Sequence, residues 1–471
     1  MRKSVKILLL IVISSIVAAC SEGSGTGIGG TGFDGTPVTV KGPITGFGSI
    51  IVNGIKFDLA NANIVVDDAQ ANANDLALGM FVTIHGVLQA EAQGTALSVF
   101  YDDELQGPIE NVQRTADPSI VIVTILDTQV RVDSVRTAFG QTSIEKLQAG
   151  DLVTVSGFRE ADGTIVATRI EREEDYEEGR SEVEIKGFVS QLSGSRFVIG
   201  RYEIDIQNAV LEDFDGMSLQ QGQYVEVEGT LLGLTIMASK VELEDDEDPA
   251  EGTYISYQGI IDEDLEGGKN INGLPLSLGS IAEDEDVIVG SSEVEINGVV
   301  DNNGAVLASS VIDREGGLRF EARVNQIDVA TRRLSLSYVP GSVEILVDAG
   351  TLITSDEGDE SEILLLSQIS IGEFVKVRAR KEGKDVIANQ IHTAERKNYR
   401  ITAPVTACAD GQIELIGLIF RLVDGITEYD TDEGPESAAG FCAVAGFGVP
   451  VTLEDSVRAL DGIADEIEIE E

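Results

Sequence analysis

An eight-residue pattern, Gly-x-x-Val-x-Val-x-Gly, recurs along this chain and limits what it can fold into. One clear copy is Gly150-Asp-Leu-Val-Thr-Val-Ser-Gly157, followed by Asp162-Gly-Thr-Ile-Val-Ala-Thr-Arg-Ile170. Leu152, Val153 and Val155 are the apolar positions of one strand, and Ile165, Ala167 and Ile170 those of a second, with a turn between. The pattern returns from Gly79 to Gly86 with Ala96 and Val99 behind it, and from Gly222 to Gly229 with Ala238 and Val241. A longer copy runs from Gly290 to Gly298 with Ala308 and Val311, and a fifth from Gly372 to Ala379 with Ala388 and Ile391. The leading glycines stand 71, 72, 68 and 82 residues apart, so the chain is a tandem array of small β-units.

The first unit supplies the rest of the plan. Val40 to Thr45 reads as its opening strand, and Ser49–Val52 and Ile55–Leu59 flank Asn53-Gly54, a strong short hairpin signal. Ala60 to Leu78 is a connection with room for a short helix. About five strands in roughly 65 residues fit a small closed or nearly closed barrel. The units are placed at residues 39–103, 104–175, 181–246, 252–315 and 316–395, with a degenerate sixth over 396–471. The fourth has its own Asn272-Gly273 turn, and the fifth carries its extra residues around Ser355–Ser361, as expected of a surface-loop insertion. Acidic runs at the junctions (Asp102–Glu104, Glu171–Glu178, Glu242–Glu251) read as extended, solvated linkers.

Residues 1–19 have the make-up of a secretory signal: Arg2, Lys3 and Lys6, then the apolar run Ile7–Ile13, then small residues. Val17-Ala-Ala-Cys20 resembles a bacterial lipobox, which implies that Cys20 is lipidated and anchors the chain. Ser21 and Glu22 after it imply, in enteric-type bacteria, the outer membrane. Residues 20–38 form a glycine-rich tether. It matches G-x-G-x-x-G from Gly25 and from Gly27, but with no strand before and no helix after, a dinucleotide site is not expected.

Lys and Arg total 33 against 82 Asp and Glu, a formal net charge of −49. Such a surface repels nucleic acid, whose phosphates require Lys and Arg, so no nucleic-acid partner is expected. Solubility in a salty medium accounts for the charge, with weak Ca²⁺ binding by clustered carboxylates as the sharper alternative. No acidic run fits a calcium-loop spacing; Asp430–Gly434 comes nearest and misses, so no metal residue is assigned.

Little else carries chemistry. His85 and His392 are the only histidines; alternation puts Val82 and Ile84 inward and His85 outward, and His392 follows the last core residue of its repeat, so both are expected on the surface. G-x-S-x-G, H-E-x-x-H and the P-loop pattern are absent, so neither catalytic residues nor cofactors are assigned. Cys408 and Cys442, the cysteines other than Cys20, favour a disulfide in an exported chain, closing a long loop in an atypical terminal unit.

The lipobox, Gly27–Gly32, Ile44-Thr-Gly-Phe-Gly-Ser-Ile-Ile-Val-Asn-Gly54 and the repeated motif together resemble exported bacterial lipoproteins built from domain of unknown function 5666. The resemblance implies OB-like β-barrel repeats with no established activity, hence no functional residues to carry over. The expectation is an all-β array of five to six such barrels, lipid-anchored at the outer membrane and facing the periplasm or the cell surface. Its expected role is non-catalytic: binding or scaffolding through a polysaccharide or an envelope protein. A carboxylate-dependent polysaccharide enzyme and a Ca²⁺-responsive adhesion protein are the alternatives.

Overall fold

The computed structural model describes residues 35–471, apart from 91, 116–118, 215, 245–248, 264–266, 280–292, 340, 358–359, 395–397, 431–436, 456–459 and 471. The lipobox, Cys20 and most of the tether lie outside the described residues, as do Gly290 and most of Asp430–Gly434. Among the described residues the fold is nearly all β, with one α-helix, Ala438–Val444. No helix there is long and apolar enough to cross a membrane.

Each repeat closes five strands on themselves. In the first, Thr36–Gly46 pairs with Ile50–Val52, which pairs with Ile55–Asp58. Ile55–Asp58 runs parallel to Gln93–Tyr101, and Phe81–Ala90 joins that strand back to the first. The interior follows from period-two alternation: Val40, Ile44, Phe57, Val82, Ile84 and Val99 are fully buried. The ring recurs over Leu105–Asp175, Tyr254–Asp313 and Leu318–Ala394. In the third repeat the opening strand is split into Glu182–Phe188 and Ser190–Ser193. The sixth, degenerate in sequence, has the same order, its third strand meeting the chain just before the last strand through the isolated bridge Arg421–Ile463.

The motif glycines have two separate causes. Gly150 sits at φ +95°, where a side chain would be strained. Gly157 lies at a β-bulge, the register slipping between Ser156 and Gly157, and a Cβ there would stand 2.1 Å from the Val166 carbonyl oxygen. The fifth repeat has Ala379 at the matching slip, with Ala388 opposite. Gly157→Ala should therefore destabilise the second repeat by about 1–3 kcal/mol, the usual range for overpacking. Chemical denaturation would measure it, and an unchanged midpoint would contradict the bulge.

Three expectations need correction. Residues 60–78 hold no helix: Asn63–Val66 and Ala69–Ala71 form a hairpin, with Asp67 and Asp68 both at positive φ in its turn. The fifth repeat's insertion extends a strand, Ser342–Glu357, into a hairpin with Glu360–Ile363, and Ser361 accepts a hydrogen bond from the Phe139 amide of the second repeat. The acidic junctions are not simply solvated, since Asp103 is buried and Asp102 pairs with Lys186.

The repeats are also not strung out in order. The first and fourth pair through their opening strands in parallel, Val38 with Tyr254 to Lys41 with Tyr257. The second pairs with the third, and the fifth with the sixth, antiparallel. Polar contacts join these sheets: the Thr168 hydroxyl donates to Gly79 O at 2.7 Å, and the Phe81 amide donates to Ser156 Oγ at 2.7 Å. Barrel exteriors thus become interfaces between repeats.

Candidate functional site

Of the residues singled out in the sequence, Cys408 and Cys442 are brought together as a disulfide between the strand Arg400–Ala409 and the helix Ala438–Val444. His85 is half-buried, its Nδ1 3.2 Å from Thr39 Oγ1 and its ring edge-on to Phe100. His392 is buried rather than on the surface, with Nδ1 3.0 Å from Thr354 Oγ1. The two histidines lie in different repeats, each beside a threonine on a neighbouring strand, and neither has a catalytic neighbour among those contacts.

One concavity with a mixed lining is a feature that alternation did not reveal. A cleft of about 580 Å³ opens where the first four repeats meet, and it is lined by Phe81, Phe100, Phe158, Phe188 and Tyr224. Aromatic residues are only 5% of the chain, so five around one cleft is a concentration. Phe188 is 67% exposed and stands edge-on to Tyr224 at 5.0 Å between ring centres. Phe81 and Phe158 meet at 5.9 Å, with Ile260 of the fourth repeat beside them.

Why the rings lie there is local. Phe81 and Tyr224 each stand two residues after a motif glycine, near the start of a strand. Phe158 follows the bulge at Gly157, and Phe100 faces outward between the buried Val99 and Tyr101. The alternation Val99-Phe100-Tyr101 was the one signal that could have exposed this face from sequence.

Charged groups rim the cleft in pairs. Arg159 Nε is 2.5 Å from Glu104 Oε1. Lys186 is bonded to Asp102 and lies 2.9 Å from both Glu226 and Glu244. Asp262 differs, because its buried Oδ1 has no hydrogen-bond partner among the described residues, and burial raises its carboxyl above the ordinary range.

Behind the rim, carboxylates from the first and third repeats and from the junction before the second collect around two ammonium groups. Lys240 pairs with Asp68 of the first repeat and with Glu228 and Glu242 of the third. Burial pushes Asp102 up to about 9, against the pull of Lys186. Burial also acts on Glu226, but Lys186 and a hydrogen bond with Asp102 hold it down at about 2. Burial, then Asp67, raise Asp103 to about 7. At neutral pH this group therefore keeps protons that free carboxylates would have lost.

Residues 39–99, 106–171 and 186–242 each match the family model described as Domain of unknown function (DUF5666). No curated protein matches the chain. Among solved structures, one similar chain is "drosophila Unr CSD456", at 12% identity and a TM-score of 0.12, over 63% of this chain and 99% of that one.

Proposed function

We propose, for a chain that carries three tandem copies of this domain of unknown function, a non-catalytic envelope binding module whose ligand is a saccharide. The observation that carries the reading is the five-ring cleft. Sugar rings present apolar C–H faces that lie against exposed aromatics, and hydroxyls that hydrogen-bond to carboxylates, amides and guanidinium groups. Phe100, Phe188 and Tyr224 would supply the first; Asp262, Asn270 and Arg159 the second. A concave site suits a sugar better than it suits the flat face of an envelope protein. Anchoring is assigned to lipid on Cys20 at the outer membrane, and nucleic acid is excluded as a partner on charge.

The alternative, a polysaccharide-cleaving enzyme, rests on the opposed pKa values of Asp102 and Glu226. Glu226 is 2% exposed, however, and an oxygen of each carboxylate lies within 4.8 Å of the other. Glycosidase carboxyl groups stand further apart, about 5–9.5 Å, and both must reach the sugar. The pair is therefore read as structural.

Titrating the soluble chain with a panel of envelope and capsular glycans tests the reading. One glycan class should bind, and Phe100→Ala/Phe188→Ala should weaken it at least about fivefold, the loss of two ring contacts. Equal binding by the double variant, or glycan breakdown that stops in Asp102→Asn, would sink it.

A further inference from the structure

We propose that the carboxylates of Asp102, Glu184 and Glu226 hold a hard divalent cation of the Ca²⁺ class, which fastens the third repeat to the junction between the first two. One oxygen from each lies within 4.8 Å of the others, close enough to share a single coordination sphere with ligand distances of about 2.3–2.6 Å. The three come from far apart in sequence: the junction before the second repeat, and two paired strands, Glu182–Phe188 and Tyr224–Leu232, of the third. This is why no loop spacing announces the site.

A cluster of acids alone would not carry this. The second observation is Glu184, which is 8% exposed and whose buried Oε1 has no hydrogen-bond partner among the described residues. An uncompensated buried carboxylate oxygen is costly, and in proteins such oxygens meet a donor or a cation. The nearby cations are already taken: Lys186 serves Asp102, Glu226 and Glu244, and Lys240 serves Asp68, Glu228 and Glu242 and also lies 3.4 Å from Glu226. A divalent ion bound here would displace the protons that burial otherwise keeps on these carboxylates, and its charge would offset theirs. All-oxygen ligands select Ca²⁺ or Mg²⁺ over softer metals, and Mg²⁺ dehydrates reluctantly in such a dry pocket. The inference goes beyond the saccharide reading and is independent of it.

The test is calorimetry and thermal unfolding of the chelator-treated chain with CaCl₂ or MgCl₂ alone, with no glycan present. Wild type should bind one Ca²⁺ in the submillimolar to millimolar range typical of extracellular modules, and unfold at a higher temperature with it. Glu184→Gln keeps shape and removes one charge, so it should fold without metal yet bind Ca²⁺ at least tenfold more weakly and lose the thermal shift. Glu145→Gln, at an exposed position, should keep both. No saturable Ca²⁺ binding up to millimolar concentration, or an equal thermal shift in Glu184→Gln, would overturn the site and mean that protons alone settle these carboxylates.

Discussion

Asp133→Ala is expected to lower stability by about 3–5 kcal/mol, the cost of leaving a buried charge without its partner. Asp133 closes the strand Thr128–Asp133 of the second repeat, and Arg378 lies on Phe374–Glu382 of the fifth. Their side chains meet at 2.5 Å across 245 residues of sequence, and both are nearly sealed from water. With Asp133 gone, the guanidinium cannot discharge and must either stay unpaired or force the repeats apart. Replacing both partners by apolar residues, as in Asp133→Leu/Arg378→Met, should recover much of the loss, since a buried ion pair contributes little net. Urea unfolding of the three variants measures this; a loss under about 1 kcal/mol in the alanine variant would mean the two repeats do not dock this way.

The same pair gives an acid limb. Burial acts to raise the Asp133 carboxyl, but Arg378, then Arg136 and the Val135 amide, hold it below its ordinary value. A carboxyl depressed on folding contributes stability that is complete above its unfolded pKa and lost as pH falls through the folded one. Wild type should therefore weaken below about pH 4, and Asp133→Ala should show a shallower decline over that window.

The barrels were legible and their docking was not, for one physical reason. Period-two alternation reports which side chains leave water on the inside of a ring, so Val82, Ile84, Val153 and Val155 could be placed from sequence, and Asn53-Gly54 fixed a hairpin. It says nothing about whether the outer, polar side meets water or another repeat. Ser156 and Arg378 occupy the outward slot of their repeats, as His85 does, yet Ser156 takes the Phe81 amide and Arg378 takes Asp133. His392 was misplaced too, for it is buried beside Thr354 of its own repeat. The cleft shared this fate, because its rings come from three repeats, its remaining wall from a fourth, and no local pattern joins them. Acidic junctions looked like spacers since charge predicts solvation only where no counter-charge is near, and Lys186 lies 84 residues from Asp102.

Removing the disulfide by Cys408→Ser/Cys442→Ser should destabilise the sixth repeat by roughly 3–4 kcal/mol, the chain-entropy cost of releasing a loop of this length. The half-cystines are 34 residues apart, and one lies on a helix of seven residues, too short to persist unaided. That helix has little local support: the Ser437 hydroxyl caps it by accepting from the Gly440 amide, and Phe441 plugs it into the core beside Tyr429. Freed of the staple, the helix should detach first and expose Phe441. The damage should remain local. The sixth repeat's strand pairing with the rest of the molecule runs through its Arg400–Thr402 against Arg319–Glu321 of the fifth, so the first four repeats keep their own pairings. Limited proteolysis should accordingly cut the double variant near the helix while an intact fragment of the earlier repeats survives, and a reducing agent should reproduce the pattern in wild type. A global loss of all six repeats at one midpoint would instead show that the terminal barrel is part of the same cooperative unit as the four-repeat cleft.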